Sequence, residues 1–460
     1  MLLRFAFKNY KSFQELTEFS MVASKVTRHK GHIVEINGKR ILKSAFVFGA
    51  NAGGKSNFIS ALDFGHKIIM AGDVKQIDYE QLYFRLADKK DSIGSFQFDI
   101  WAGGHFYSYG FAMDYIKGDI VSEWLYQIDN QEDQEICLFS REITEKGVAI
   151  ETNLEFNEED EIRWRVYKED FQSKNMNSKL FLVDVANRNS RDMTPLHDFT
   201  IVFTWFTHLL VLFPDSHTTG IPLLMRDEKL WDVFVKWLRL FDTGIEDISV
   251  SEVDPDKFLN MLPPSVRESV KVDLKKKLQE NSRLASVAIS LGNSRYDISW
   301  ENGEIHVNKL MFSHGNGDLF EQNDESDGTR RLFDLLPLYQ MIKKNYVIAI
   351  DELDRSFHTR LTFEFIHFFY KISVKKESQL IVTTHDGELL DLDEVRQDEI
   401  WFVERQPNNS TQLYSLSKFK ARFDKDIKKD YLLGRYGALP VFKEEEVLGY
   451  SDFMDTGKDG

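Results

Sequence analysis

A single cysteine, Cys137, occurs in the 460 residues of this chain. No internal disulfide framework is therefore available, and a reducing compartment is expected. Long hydrophobic runs are missing as well. The most apolar stretch, Phe199 to Phe213, carries His208 and is too short to span a bilayer, so it is read as a buried helix. The opening MLLRFAFKNYKSF alternates polar and apolar residues like a strand and has no secretory pattern. Together these absences predict a cytoplasmic protein with no membrane segment. Positive charge is also scarce, since 58 basic against 74 acidic residues leave a net charge of −16. That balance argues against a surface basic all over that binds nucleic acid indiscriminately, although a local basic groove stays open. The local basic excesses are Lys275-Lys276-Lys277 and the set Lys418, Lys420, Arg422, Lys425, Lys428 and Lys429, a pattern that ordinarily marks solvated helix faces. No internal repeat or low-complexity segment occurs, and no sustained heptads support a coiled-coil arm.

What the chain does have is the glycine-rich run Gly49-Ala50-Asn51-Ala52-Gly53-Gly54-Lys55-Ser56, followed by Asn57. It comes after the apolar segment Ile41 to Phe48 and before a helical pattern with Phe58, Ile59, Leu62, Ile69 and Met70. This strand, loop and helix context is what a phosphate-binding loop requires and what a chance glycine turn lacks. Glycines let backbone N–H groups face a polyphosphate, the helix adds its positive N-terminal end, Lys55 reaches the terminal phosphates, and the Ser56 hydroxyl can hold Mg²⁺.

Length suggests two or three structural units. Residues 1–154 read as a β-rich lobe around the loop, with Phe96 to Ile100 alternating, Gly103-Gly104 as a hairpin turn and His105 to Met113 returning. Residues 155–295 read as a mainly helical insertion, from the spacing of Leu230, Trp231, Phe234, Val235, Trp237, Leu238 and Leu240 and of Val270, Leu274 and Leu278. Residues 296–415 begin with short strands around Asp297–Trp300 and Ile305–Val307, and residues 416–460 form a charged tail.

The third segment carries further chemistry. Tyr346 to Ile350 is an apolar run that ends in Asp351-Glu352, so both acids fall at the carboxyl end of a buried strand, where α/β sheets bind ligands. Taken alone, such a run is equally a strand with a solvated end. Beside the loop at Lys55, Asp351 suits a Mg²⁺ site and Glu352 suits the orientation or deprotonation of an attacking water. Earlier in the chain, Ser326-Asp327-Gly328-Thr329 opens a helix with Leu332, Phe333, Leu335, Leu336 and Tyr339. Later, the strand Gln379 to Thr384 ends in His385. A serine hydroxyl, glycine N–H groups and a helix N-terminus can form a second anion site; the plainer and less favoured reading of Ser326 is a helix cap.

In order and spacing these residues resemble the ABC-type ATPases of the SMC and RecF kind. That resemblance implies an α/β fold, an ABC-type P-loop ATPase head with a β-rich nucleotide lobe, an α/β lobe and a helical insertion. It implies ATP and Mg²⁺ as ligands, with Gly49, Asn51, Gly53, Gly54, Lys55, Ser56 and Asn57 at the nucleotide and Ser56 and Asp351 at the metal. It further implies Glu352, Asp354 and His385 as catalytic residues, and Ser326 and Gly328 as the signature that closes on ATP from a second copy of the chain. The segments Asn9 to Phe13, Tyr107 to Phe111, Asp398 to Glu404 and Tyr431 to Pro440 look like a compact bacterial branch of AAA ATPases found in phage-defence and abortive-infection operons. Ser326-Asp327-Gly328 departs from the Ser-Gly-Gly of transporter ATPases, and no Q-loop glutamine is singled out among Gln76, Gln81 and Gln97.

Two functions follow as expectations. One is a homodimeric or larger ATP-gated scaffold that senses infection and controls a separately encoded nuclease or toxin. The other is a RecF-like repair clamp that binds duplex DNA directly. An autonomous nuclease of the OLD type would need a Toprim domain, for which the segment after His385 is too short, or catalytic acids hidden near Glu158 to Glu161.

Overall fold

The computed structural model describes residues 1–77, 79, 82–87, 91–129, 134–144, 147–173, 176–188, 195–216, 228–279, 285–291, 294–301, 304–335, 337–419 and 427–438. The chain divides into two compact units, one formed by 1–211, 347–352 and 379–460, the other by 212–346 and 353–378. Both units therefore draw on distant parts of the sequence, and the fold is not a row of consecutive domains.

The first unit contains a six-stranded sheet in the order Leu209–Leu212, Val347–Ile350, Gln379–Thr383, Ser44–Phe48, Ile400–Arg405 and Thr411–Ser415. Its three central strands, Val347–Ile350, Gln379–Thr383 and Ser44–Phe48, run parallel and are buried along their whole length. That burial on both faces explains why they read as continuous apolar runs rather than alternating ones. A second, seven-stranded sheet is antiparallel throughout. Its hairpin Ile93–Ala102 and His105–Asp114 turns at Gly103-Gly104, the position where the glycines suggested a turn.

Helix Lys55–Ala71 buries Phe58, Ile59, Ala61, Leu62, Phe64, Ile68 and Ile69. Phe58 packs on Phe5, Phe7 and Phe19 of the seven-stranded sheet, and Phe19 packs in turn on Trp401 of the six-stranded one. Each such side chain contributes about 1.5–3 kcal/mol of burial free energy. The helix start is thereby fixed against both sheets, and the loop that precedes it is fixed with it. Gln379 adds a polar tie, accepting from Leu2 N and donating to the carbonyls of Leu2 and Leu42.

A fully buried ion pair joins the seven-stranded sheet to helix Phe181–Arg188. Glu123 accepts from Phe181 N at 2.7 Å, Leu182 N at 2.9 Å and Tyr109 Oη at 3.0 Å, with Arg141 Nη1 3.4 Å away. Arg141 also donates to the carbonyls of Lys179 and Met176. Burial pushes the Glu123 carboxyl up from its ordinary range, and the Arg141 charge opposes that shift. Replacing Arg141 by Met strands a buried carboxylate, which typically costs about 3–5 kcal/mol. A thermal unfolding midpoint within two degrees of wild type would show that the pair contributes little.

The second unit is built on an antiparallel sheet in the order Asp247–Val253, Glu304–Ser313, Ser294–Glu301, Ala285–Leu291, with Leu319–Glu321 paired to Glu304–Ser313. Phe258 and Val270 from the helices Pro255–Met261 and Pro264–Gln279, with Leu262 between the two, pack on Ile298 and Val307 of this sheet. The segment 155–295 thus holds strands beside its helices. The sequence boundary at 295 falls inside an antiparallel hairpin, because Ala285–Leu291 pairs with Ser294–Glu301.

The apolar stretch Phe199 to Phe213 is divided between helix His197–Phe206 and strand Leu209–Leu212. Among the described residues no helix is long and apolar enough to cross a membrane. The helix opened by Ser326 ends at Leu335, and a second helix, Leu338–Lys343, follows Pro337.

Candidate functional site

The strand Ser44–Phe48 delivers the chain into the loop, and helix Lys55–Ala71 leaves it. Lys55 is only 4% exposed. Its ammonium donates to Gly49 O at 2.6 Å and Ala50 O at 3.1 Å, and it lies 3.1 Å from His385 Nδ1. The side chain therefore folds back across the loop's own carbonyls. Gly53 N donates to Ala50 O at 3.0 Å and closes the turn, while Asn51 and Ser56 stand exposed. Asn57 Nδ2 donates to Ser12 Oγ at 2.8 Å.

The strand Val347–Ile350 is separated from the loop strand by Gln379–Thr383 alone. It brings Asp351 and Glu352 to the same sheet edge as the loop. Asp351 is 2% exposed, and burial raises its carboxyl above the ordinary range. Hydrogen bonds from Thr383 and Ser56 and the charge of Lys55 oppose that shift, whereas the neighbouring Glu352 charge adds to it. Thr383 Oγ1 donates to Asp351 Oδ1 at 2.6 Å and accepts from Glu352 N at 2.8 Å. Those bonds hold Glu352 at φ +52°, a left-handed conformation that a non-glycine residue adopts only when its surroundings impose it. The Ser56 hydroxyl and the Asp351 carboxylate give an oxygen-only pair, a donor set that fits Mg²⁺ shared with substrate phosphates.

His385 lies between Lys55 and Glu352. An ammonium has only donors, so Nδ1 of His385 must accept from Lys55, which leaves its proton on Nε2, 3.4 Å from Glu352 Oε1. The order Lys55, His385, Glu352 is a continuous polar path from the phosphate loop to the acid.

The remaining sequence candidates lie in the second unit. Ser326 Oγ accepts from Thr329 N at 3.1 Å and lies 2.9 Å from Thr329 Oγ1, so it caps helix Asp327–Leu335. Gly328 packs on the turn that follows the two acids. A β-carbon there would come within 2.8 Å of Ser356 O, so no other residue fits without a shift. Asp354 is half-buried, and its carbonyl accepts from Phe357 N at 3.0 Å. Of the three glutamines, Gln97 lies in a strand and donates to Asp99 and Ser108, Gln76 is exposed at the end of the turn Val74–Gln76, and Gln81 falls outside the described residues.

Beside the loop opens a cavity of about 770 Å³ lined by Lys11, Ser12, Asn57, Tyr83, Arg85, Arg405 and Thr411, among others. Sequence reasoning did not connect these residues, because they come from four separate segments whose convergence depends on the fold. Among the described residues no group of three or more His, Cys, Asp or Glu could hold a metal by itself. Glu158 to Glu161 form the first turn of helix Glu158–Ser173, with Asp160 buried and bonded by Asn157. Of the basic runs, Lys428 pairs with Glu388, while Lys420, Arg422 and Lys425 fall outside the described residues, as do the side chains of Lys275, Lys276 and Lys277.

A phosphate loop between a buried parallel strand and a helix, with a neighbouring parallel strand that ends in two acids, defines the class. That class is an α/β P-loop fold, in which the glycine-rich loop joins a parallel strand to the helix after it. The family model described as "AAA domain, putative AbiEii toxin, Type IV TA system" matches residues 234–391, less than half of the chain. No curated protein matches the sequence. The chain is similar to the solved Smc head bound to the C-winged helix domain of ScpA, at 12% identity over 91% of this chain and 98% of that one, with a TM-score of 0.38. It is similar to the SMC head domain from Thermotoga maritima, at 13% identity over 90% and 98%, with a TM-score of 0.31. It is also similar to the Smc head with an extended coiled coil bound to the C-terminal domain of ScpA, derived from Pyrococcus furiosus, at 14% identity over 91% and 97%, with a TM-score of 0.35.

Proposed function

We propose that the chain binds ATP with Mg²⁺ at the loop Gly49 to Asn57 and hydrolyses it, and that this cycle switches a scaffold of two or more copies that controls a separately encoded effector. The convergence of Lys55, His385 and Glu352 beside the Asp351 and Ser56 pair carries the reading. Phosphoryl transfer to water needs charge neutralisation and a positioned nucleophile rather than covalent help from the protein.

In this reading Lys55 leaves the loop carbonyls for the phosphates, and the N–H groups of Gly54 and Lys55 cradle the same oxygens. Ser56 and Asp351 would hold Mg²⁺, which would supply neutralising charge at the phosphates. Glu352 takes the proton of the attacking water, and His385 Nε2 steadies the Glu352 carboxylate and the oxygen charge that develops beside it. The cavity lined by Lys11, Arg85 and Arg405 has room for the nucleoside end. Ser326, Gly328 and Asp354 belong to the face that meets the ATP of a second copy.

The family model's description, which names a toxin of a toxin–antitoxin system, favours a defence setting with a partner gene. The net charge of −16 favours a protein effector over direct DNA binding. The test is threefold. Purified protein should release phosphate from MgATP. It should bind duplex DNA weakly in low salt with ATP, since tight and salt-steep binding would instead identify a RecF-like clamp. Cells that carry the gene in its own operon should restrict phage plating, and unchanged plating in both the wild-type and Glu352→Gln operons sinks the defence reading.

Ser326→Arg is expected to leave ATP binding to one subunit within about threefold, because Ser326 caps helix Asp327–Leu335 and is not part of the loop Gly49 to Asn57, while ATP-dependent association is lost. Light scattering with and without MgATP measures it. Association undiminished by the arginine rules out Ser326 at the interface.

A further inference from the structure

Thr411 begins the outermost strand of the six-stranded sheet and comes 358 residues after the loop glycine it touches. Its backbone N donates to Ser12 O at 2.7 Å. Its hydroxyl is shared between Ser12 Oγ at 2.8 Å and Gly53 O at 3.2 Å, and Ser12 Oγ also accepts from Asn57 Nδ2 at 2.8 Å. A side-chain chain of Asn57, Ser12 and Thr411 therefore ends on one carbonyl of the phosphate loop. We propose that Thr411 is a positioning residue for the phosphates, holding the Gly53 carbonyl so that the Gly54 N–H on the same peptide plane faces the bound polyphosphate. The proposal rests on the nucleotide reading of the loop.

The physical step is short. A trans peptide is planar, so its C=O and the following N–H point in opposite directions. Holding Gly53 O towards Thr411 fixes Gly54 N–H to the opposite side of the loop. Gly54 itself sits at φ +115°, and a β-carbon there would lie 2.6 Å from both Thr411 Cγ2 and Oγ1. The threonine thus excludes a side chain at position 54 and steers the amide that remains. Without the hydroxyl, this glycine-rich peptide can rotate, and each rotated state removes a donor from the phosphate site.

A purely structural role for Thr411, tying its strand to the turn at Ser12, gives a different pattern of results. Thr411→Val keeps the shape and removes the hydroxyl, and Thr411→Ser keeps the hydroxyl. The probes are ATP with Mg²⁺ and inorganic tripolyphosphate with Mg²⁺, titrated calorimetrically, with Lys55→Ala as the reference for a disabled loop. The valine variant should bind both probes about five- to tenfold more weakly, the value of one hydrogen bond, and the serine variant should bind both within twofold of wild type. A loss confined to ATP, an equal loss in the serine variant, or a valine variant that binds both probes like wild type overturns the proposal. If Lys55→Ala also binds ATP normally, the nucleotide reading of the loop fails instead; if Lys55→Ala is dead while Thr411→Val is unaffected, only the role of Thr411 is lost.

Discussion

Lys55→Ala protein is expected to lose MgATP affinity by at least about a hundredfold. The side chain is nearly fully buried and donates to two loop carbonyls, so its ammonium is already desolvated and exchanges those carbonyls for phosphate oxygens when the ligand arrives. Charge-assisted hydrogen bonds are worth about 1.5–3 kcal/mol each, and two of them to phosphate oxygens account for a loss of that size. The substitution removes a further constraint, since His385 Nδ1 loses the Lys55 ammonium as its donor. Two measurements check this. Calorimetric titration reads the affinity directly, and nucleotide-induced thermal stabilisation reads it independently, because saturating ligand at a hundred times its dissociation constant adds about 2.7 kcal/mol. An alanine variant that binds within threefold of wild type, or that is stabilised to the same degree, removes Lys55 from the site.

The parts of this site that lie along single strands and their ends were legible in the sequence. Gly54 had to be glycine for a reason visible as a motif, and Asp351-Glu352 ended an apolar run that the phosphate loop at Lys55 made a buried strand rather than one with a solvated end. Thr383, which holds both acids through one hydroxyl, looked like any strand residue, since its role depends on a parallel neighbour more than thirty positions away. Thr411 and Ser12 were further out of reach: no local pattern links residues 399 positions apart. The same limit explains the middle of the chain. Helical periodicity around Leu230 to Leu240 is a property of one segment, and helix Glu228–Leu240 lies there. The strands Asp247–Val253 and Ala285–Leu291 are short, and they pair with partners beyond position 293. Their signal belongs to the pairing and not to the segment, so the stretch read as mainly helical. The buried pair of Glu123 and Arg141 was invisible for a related reason, because charged residues on a strand ordinarily mark its wet face.

Glu352→Gln separates binding from chemistry. The amide is nearly the size of the carboxylate, so the left-handed backbone at 352 and the bond from its N–H to Thr383 should survive. What disappears is the base, and general base catalysis contributes about 10²–10⁴ in rate. The expected result is therefore a fall in kcat of that size with MgATP affinity within about threefold of wild type. The local charge also falls, since Glu352 raises the Asp351 carboxyl through repulsion, and removing that repulsion favours ionised Asp351 at the metal pair. Metal-dependent nucleotide binding should on this ground be preserved or slightly tighter, a sign opposite to that expected for loss of a metal ligand. If ATP also bridges two copies, the variant accumulates as an ATP-bound dimer that light scattering detects and that EDTA dissolves. Single-turnover hydrolysis at the wild-type rate would move the base elsewhere, with Asp354 the next acid to replace. A hundredfold loss of MgATP affinity would make Glu352 a metal ligand rather than a base. Either outcome is read from the same two assays, which makes this substitution the most informative single change in the chain.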